Sequence, residues 1–365
     1  MSNISKLTVA KLQKQADTLK IKGRTTLRKA ELIQAITAVK GGSNAATIAK
    51  TIKDKSAKTG KGKKVVKKLT GIDKNPVITI TCGDVAENHV GNQQIGHLVA
   101  KGNGFDIKDF MKARKRFRKE GYKVEIYNLN KALKGVKIEG AAPAEQADIM
   151  IIRNGLEALI GKGNRQELFE QLNVLDWDKK FWDSRRKKVL NKHARHNLCF
   201  SKNSQEPDYP SGKGRIVSFR TIPLLEEIMG KLPKFFGKKA EALKAEGNKY
   251  YDKSKTGIGY HGDSERRKVI AWRLGKGEYG DPRGAMSMHW QWYARSKPVG
   301  KNMKFIINAG DIYLMSEKAT GQDWKKSVVQ GVACPFGCKK EALLTVRHAA
   351  GSDKYTKLKK KKKKK

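Results

Sequence analysis

The spacing of apolar residues changes several times along this chain. Between residues 5 and 37 it is helical. Val9, Leu12, Ala16 and Leu19 form one stripe behind Thr8, and Leu27, Leu32, Ile33 and Ile36 form another behind Thr26. A threonine ahead of each stripe can cap a helix start. Lys22-Gly23-Arg24 marks the turn between them, so residues 1–40 are expected to be a small helical hairpin with a basic exterior. Residues 41–75 offer few core candidates and many lysines, the pattern of a flexible cationic linker.

From Val77 the period shortens to two. Val77–Thr81, Val124–Tyr127 and Ile149–Ile152 read as strands, with helices over Ile107–Glu120 and Gln166–Leu172. This predicts a central α/β domain over 76–175. Residues 176–198 interleave Trp177, Phe181 and Trp182 with Arg185, Arg186, Lys187, Lys188, Lys192 and Arg195. Two readings are open there: a surface that stacks bases and holds phosphates, or a helix with a buried tryptophan face. Beyond residue 199 come short, turn-separated strands at 214–219, 256–261, 269–274, 287–293, 305–307, 311–315 and 342–346, interrupted by a helical insert near 224–246. Such strands predict a sandwich or jelly-roll barrel over 176–357. The fold class expected is therefore multidomain α+β, ending in a polylysine tail over 358–365.

Charge adds a partner class. The 365 residues carry 79 Lys plus Arg against 35 Asp plus Glu, a formal net charge of +44. A polyanion is the natural partner, nucleic acid foremost and DNA ahead of RNA. Lys11, Lys22, Arg24, Arg28 and Lys29 in the hairpin, with Arg266 and Arg267 further on, are the candidate phosphate contacts. No apolar run is long enough to suggest a membrane role. Four cysteines in this length suit an intracellular, reducing compartment such as the nucleus or a virion. Cys334 and Cys338 lack two further ligands for zinc, so a turn bearing two thiols is the expectation.

The motif richest in chemistry is His261-Gly262-Asp263, at the head of an apolar stretch. Residues i and i+2 of a strand share a side, so an imidazole and a carboxylate can meet one ion. A third ligand leaves one face of the metal open, the arrangement of non-haem iron oxygenases. The alternative is a hydrogen-bonded loop pair. His289 is a further candidate ligand.

Three resemblances sharpen these expectations. Leu7–Leu12, Gly23 and Leu27–Ile36 resemble a SAP-type nucleic-acid-binding module. Asn248-Lys249-Tyr250, His261-Gly262-Asp263 and Gly310–Met315, in that order, resemble the Fe(II)/2-oxoglutarate-dependent oxygenase superfamily, of AlkB or prolyl-hydroxylase type, built on a double-stranded β-helix. His261–Ile270, Gly310–Lys318 and Arg347–Gly351 also resemble stretches of uncharacterised basic proteins of large DNA viruses. The oxygenase resemblance implies Fe(II) and 2-oxoglutarate as cofactors and His261, Asp263 and a distal histidine as ligands. One register puts the third ligand near Trp324-Lys325-Lys326, which offers no imidazole. The other puts it at His348, with Lys354 holding the co-substrate's far carboxylate and Asn248 or Tyr250 assisting. The implied activity is hydroxylation or oxidative demethylation of nucleic acid or a bound protein. The rival expectation is a non-catalytic DNA-packaging protein on a degenerate oxygenase fold, with Lys326 in the third corner.

Overall fold

A computed structural model describes residues 8–22, 24–27, 29–40, 75–329 and 341–358. The expectations for Gly23, Arg28, the linker residues 41–74, Cys334, Cys338 and Lys359–Lys365 fall outside these. The chain separates into two compact units, 1–72 and 73–365.

In the first unit, α1 (Val9–Thr18) begins behind Thr8, whose hydroxyl accepts the Lys11 backbone N–H. α2 spans Lys29–Lys40. Leu12, Ala16, Ile21, Leu27, Leu32, Ala35 and Ile36 are buried together. Two expectations are corrected. Val9 stays exposed rather than joining the stripe. Thr26 ends a 3-10 turn, three residues before the start of α2.

The second unit is mixed α/β around a large sheet. Its strand order is β4 (Val124–Asn128), β5 (Asp148–Ile152), β15 (Ile312–Met315), β12 (Val269–Gly275), β1 (Val77–Gly83), β10 (Lys244–Tyr250), β8 (His196–Ser201) and β9 (Ile216–Ser218). Neighbours are antiparallel except β8 and β9. A second sheet has the order β11 (Gly257–His261), β16 (Leu344–Gly351), β13 (Met286–Ala294) and β14 (Lys297–Ile307).

Strand alternation sorts the large sheet into two faces. Ile78, Ile80, Leu198, Phe200, Ile270, Trp272 and Leu314 point to one side. Helices cover that side: α3 (Ile107–Lys119), α4 (Leu156–Ile160), α5 (Asn164–Asn173) and α6 (Pro223–Phe236). α3 turns Phe110, Ala113 and Phe117 inward, and Asp106 with Asp109 forms a capping box at its start. From the other side Val77, Tyr250, Val269, Ala271 and Tyr313 meet Met288, Trp290, Trp292, Val346 and Ala350 of the smaller sheet. Interleaved with these apolar residues on the same face are Thr79, Thr81, Glu246, Asn248 and Arg273, all nearly or fully buried.

The expected boundary at 175/176 is corrected by this topology. β1, from the 76–175 segment, hydrogen-bonds on both edges to β10 and β12, from the 176–357 segment. The two segments are one body because the central strand of the sheet belongs to the first. The helical insert is also shorter than expected. α6 ends at Phe236, and Lys244–Tyr250 is a fully paired strand. Residues 176–198 are not a helix. They form a hairpin of β6 (Lys180–Asp183) and β7 (Lys188–Asn191). Among the described residues no helix is long and apolar enough to cross a membrane.

Candidate metal centre

Backbone pairing builds the cluster. β11 and β16 are antiparallel, with His261 directly opposite His348. Directly opposed residues share a face, and the face here is the inner one, where Leu344, Val346 and Ala350 alternate with His348. Asp263 follows two residues after His261, where the chain leaves β11. Its backbone N–H donates to the Thr320 carbonyl. The loop can pass so close because residue 262 is glycine. A Cβ there would strike the backbone of Gly321 and the Trp324 ring, and Gly321 itself has φ +71°.

Ligand atoms of His261, Asp263 and His348 lie within 4.8 Å of one another. Both imidazole Nε2 atoms face the same oxygen. His261 Nε2 lies 3.5 Å and His348 Nε2 3.6 Å from Asp263 Oδ1. His261 Nδ1 sits 2.8 Å from the Gly259 carbonyl, which accepts only, so the proton belongs on Nδ1 and Nε2 carries a lone pair. The Thr320 backbone engages His348 in the same sense, while His348 Nε2 is buried without a partner. Burial, with the His348 charge next, holds His261 at about 4, although the neighbouring Asp263 pulls it up. Burial, then the Arg266 guanidinium, holds His348 at about 4 as well. Near neutral pH two lone pairs and a carboxylate thus converge with no proton between them, a donor set suited to a divalent cation. Metal–ligand bonds of about 2.0–2.2 Å place neighbouring donors about 3 Å apart, so the residues fit one ion after a small inward adjustment.

Around the cluster the expected residues divide. Asn248 and Tyr250 lie on the face of the large sheet that meets the smaller sheet. Asn248 Oδ1 accepts from Arg195 Nε and Asn197 Nδ2, each at 2.6 Å, and its Nδ2 donates to Glu246. Tyr250 is buried, its hydroxyl raised in pKa by burial and within the fields of Arg195, Arg273 and Asp263. Lys354 does not face the site. It is exposed on α7 (Asp353–Thr356), its ammonium over the Tyr355 ring. Arg266 is 3% exposed and locked against Glu246 and Glu265, at 2.8 and 2.7 Å. Arg267 pairs with Glu317 and donates to the Val99 carbonyl. These two arginines are corrected from phosphate contacts to supports of the site loop, because carboxylates and burial claim them. His289 turns to the opposite face of β13, bonded to Asn302 and Ser287. In the first unit Lys11 and Lys22 are exposed, Arg24 pairs with Asp17, and Lys29 begins α2.

The residue that sequence reasoning missed is Arg273. It is 0% exposed, its Nη1 donates to Thr79 Oγ1 at 2.8 Å, and its Nε and Nη2 have no partner. No carboxylate among the described residues pairs with it, and burial lowers its pKa. A buried guanidinium with two idle donors is costly unless an anion completes it. Tyr250 and Tyr313 lie on the same face of the large sheet as Arg273, within the fields of both Arg273 and Asp263. The one sequence signal is a single cation inside the apolar run Val269–Leu274. A cavity of about 670 Å³ opens elsewhere, lined by Lys101, Glu145, Glu317 and Asp323 among others, and none of the three ligands borders it.

No family model matches the chain. Among known proteins it is similar to "Uncharacterized protein R156" of Acanthamoeba polyphaga mimivirus, 42% identical over 280 residues, which cover 77% of this chain and 97% of that protein. At this identity and coverage the chain belongs to the same family as that mimivirus protein.

Proposed function

We propose that the protein is an Fe(II)/2-oxoglutarate-dependent oxygenase acting on nucleic acid or a protein bound to it. The observation that carries this reading is the convergence of His261 Nε2 and His348 Nε2 on Asp263 Oδ1, with the His348 nitrogen buried and unpartnered. The rival packaging protein called for Lys326 in the third corner, where His348 stands. A double-stranded β-helix is the finer fold this reading takes. Strands β11 to β16 pass back and forth between two facing sheets, and β1 fills the slot between β10 and β12.

In this reading His261, Asp263 and His348 hold the metal on one side and leave the other open. Arg273, in place of Lys354, holds the far carboxylate of 2-oxoglutarate through Nε and Nη2, with Thr79 fixing the guanidinium from behind. Tyr250 and Tyr313 share the sheet face of Arg273. Glu246 and Glu265 neutralise Arg266, whose Nε sits 3.6 Å from Asp263 Oδ2, so that this cation steadies Asp263 without displacing the metal. When bound, iron with 2-oxoglutarate supplies oxidation of a C–H bond by dioxygen. The two packed sheets keep bulk water from the site.

The test is anaerobic calorimetric titration of Fe(II) into metal-free full-length protein, followed by 2-oxoglutarate. One equivalent of metal is expected, lost in His261→Ala and His348→Ala, with 2-oxoglutarate binding the loaded protein and failing with Arg273→Met. Metal affinity indifferent to both histidines would refute the reading.

A further inference from the structure

The hairpin β6–β7 takes no part in the core clusters or in the metal centre, yet it is strongly cationic. From Lys179 to Asn191 it carries six cations, Lys179, Lys180, Arg185, Arg186, Lys187 and Lys188, and one carboxylate, Asp183. All six cations are exposed. Asp183 is used locally: its Oδ1 accepts the backbone N–H groups of Arg185 and Arg186 at 3.0 and 2.9 Å. The carboxylate therefore shapes the turn that presents Arg185, Arg186, Lys187 and Lys188 at its tip. Trp182, opposite Val189, stays half-buried on the arm.

The root of this arm is anchored. The Phe181 ring packs on His89, tilted by 35° with ring centroids 3.7 Å apart. Lys192, buried, donates to the Asn88 side chain at 2.6 Å, and Asn88 in turn donates to Asp178. A few residues further on, Arg195 donates to Asn248 at 2.6 Å, and its charge acts on both Tyr250 and His261. The exposed cations of the hairpin are thus followed in the chain by a half-buried guanidinium whose field reaches the metal centre.

We infer that the β6–β7 hairpin is the arm that seats the phosphate backbone of a nucleic-acid strand at the mouth of the His261–Asp263–His348 site, with Trp182 available to stack a base. Exposed cations in a row match regularly spaced phosphates, and an aromatic among them matches a base of any sequence. This inference names the substrate class of the proposed oxygenase and rests on that reading for the role of the site, but strand binding itself requires no metal.

The experiment uses metal-free full-length protein and a fluorescein-labelled 20-mer of single-stranded DNA, with an RNA of the same sequence in parallel. Anisotropy is measured from about 50 to 300 mM salt. Each phosphate contact contributes about 0.7 to the slope of log K against log salt for single strands. The quadruple variant Arg185→Gln, Arg186→Gln, Lys187→Gln, Lys188→Gln is expected to reduce the slope by about 2 to 3 and the affinity at least tenfold. In the wild type, bound strand is expected to protect amides 180–191 from hydrogen exchange. A control replacing four lysines of Lys359–Lys365 by glutamine loses slope but keeps that protection. Either an unchanged slope in the hairpin variant, with its thermal transition intact, or no protection of 180–191 in the wild type overturns the inference. Loss of metal binding in the companion titration leaves these outcomes untouched and refutes the oxygenase reading alone.

Discussion

Replacing Arg273 by methionine separates a structural arginine from a ligand-holding one. The side chain is fully buried, with one hydrogen bond to Thr79 and two donors idle. Exchanging a buried, poorly compensated ion for an apolar side chain of similar length stabilises proteins by about 1–4 kcal/mol. Against this stands the lost bond to Thr79, about 1 kcal/mol. The ligand-free variant is therefore expected to be at least as stable as the wild type, by up to about 3 kcal/mol, a rise of up to roughly 6 °C in Tm for a domain of this size. The ligand-dependent term has the opposite sense. A dicarboxylate at 100 times its Kd stabilises the wild type by about 2.7 kcal/mol and the variant by nothing. The assay is differential scanning fluorimetry of metal-loaded protein under argon, with and without 2-oxoglutarate. A variant that melts several degrees below the wild type without ligand, yet keeps the full 2-oxoglutarate shift, would show that Arg273 is a structural cation and no carboxylate site.

Other outcomes follow from the same geometry. Gly262→Ala pushes a methyl group into the Gly321 backbone and the Trp324 ring, so metal affinity should fall at least tenfold by calorimetry while far-ultraviolet circular dichroism is unchanged. His261 and His348, at about 4 when folded, take up protons in the unfolded chain near 6.5. The unfolded state then binds more protons between these values, so metal-free stability is full above pH about 6.5 and is lost toward pH 4 with a slope of about 1.4 kcal/mol per pH unit per histidine. Urea titrations across this range should show the slope, and His348→Gln, at the more deeply buried position, should reduce it. Cys82 and Cys199 are buried, and burial raises both thiols well above their usual value. Peptide mapping after iodoacetamide should find neither alkylated in native buffer and both alkylated in guanidinium.

Local periodicity located most strands of the second unit within a few residues, because alternation between two buried faces leaves its mark on the sequence itself. What it does not encode is pairing. Val77–Thr81 read as a strand, but nothing in those residues says that its neighbours lie near 247 and 272, and so a domain boundary was expected where the sheet is continuous. The His-x-Asp pair was legible from spacing. The choice of His348 over the Trp324–Lys326 region depends on the β11–β16 register, a property of two strands some 90 residues apart. Lys354 follows from the resemblance to prolyl-hydroxylase-type members, whereas the cation buried on the inner face is Arg273, placed there by strand alternation. Arg266 and Arg267 read as a surface patch because Glu246 and Glu317, which pair with them across the fold, are distant in the chain, although Glu265 beside Arg266 also pairs with it.

Because β1 occupies the middle of the large sheet, the order of synthesis is out of step with the order of assembly. The strand emerges first from the ribosome, yet both of its edges wait until about 170 to 200 further residues have been made. Until then it is an unpaired apolar ribbon, vulnerable to the wrong neighbour, and such long-range closure folds slowly. A recombinant fragment starting at residue 176 would lack its own keystone and leave β10 and β12 with naked edges, so expression work on this family is best done with β1 retained.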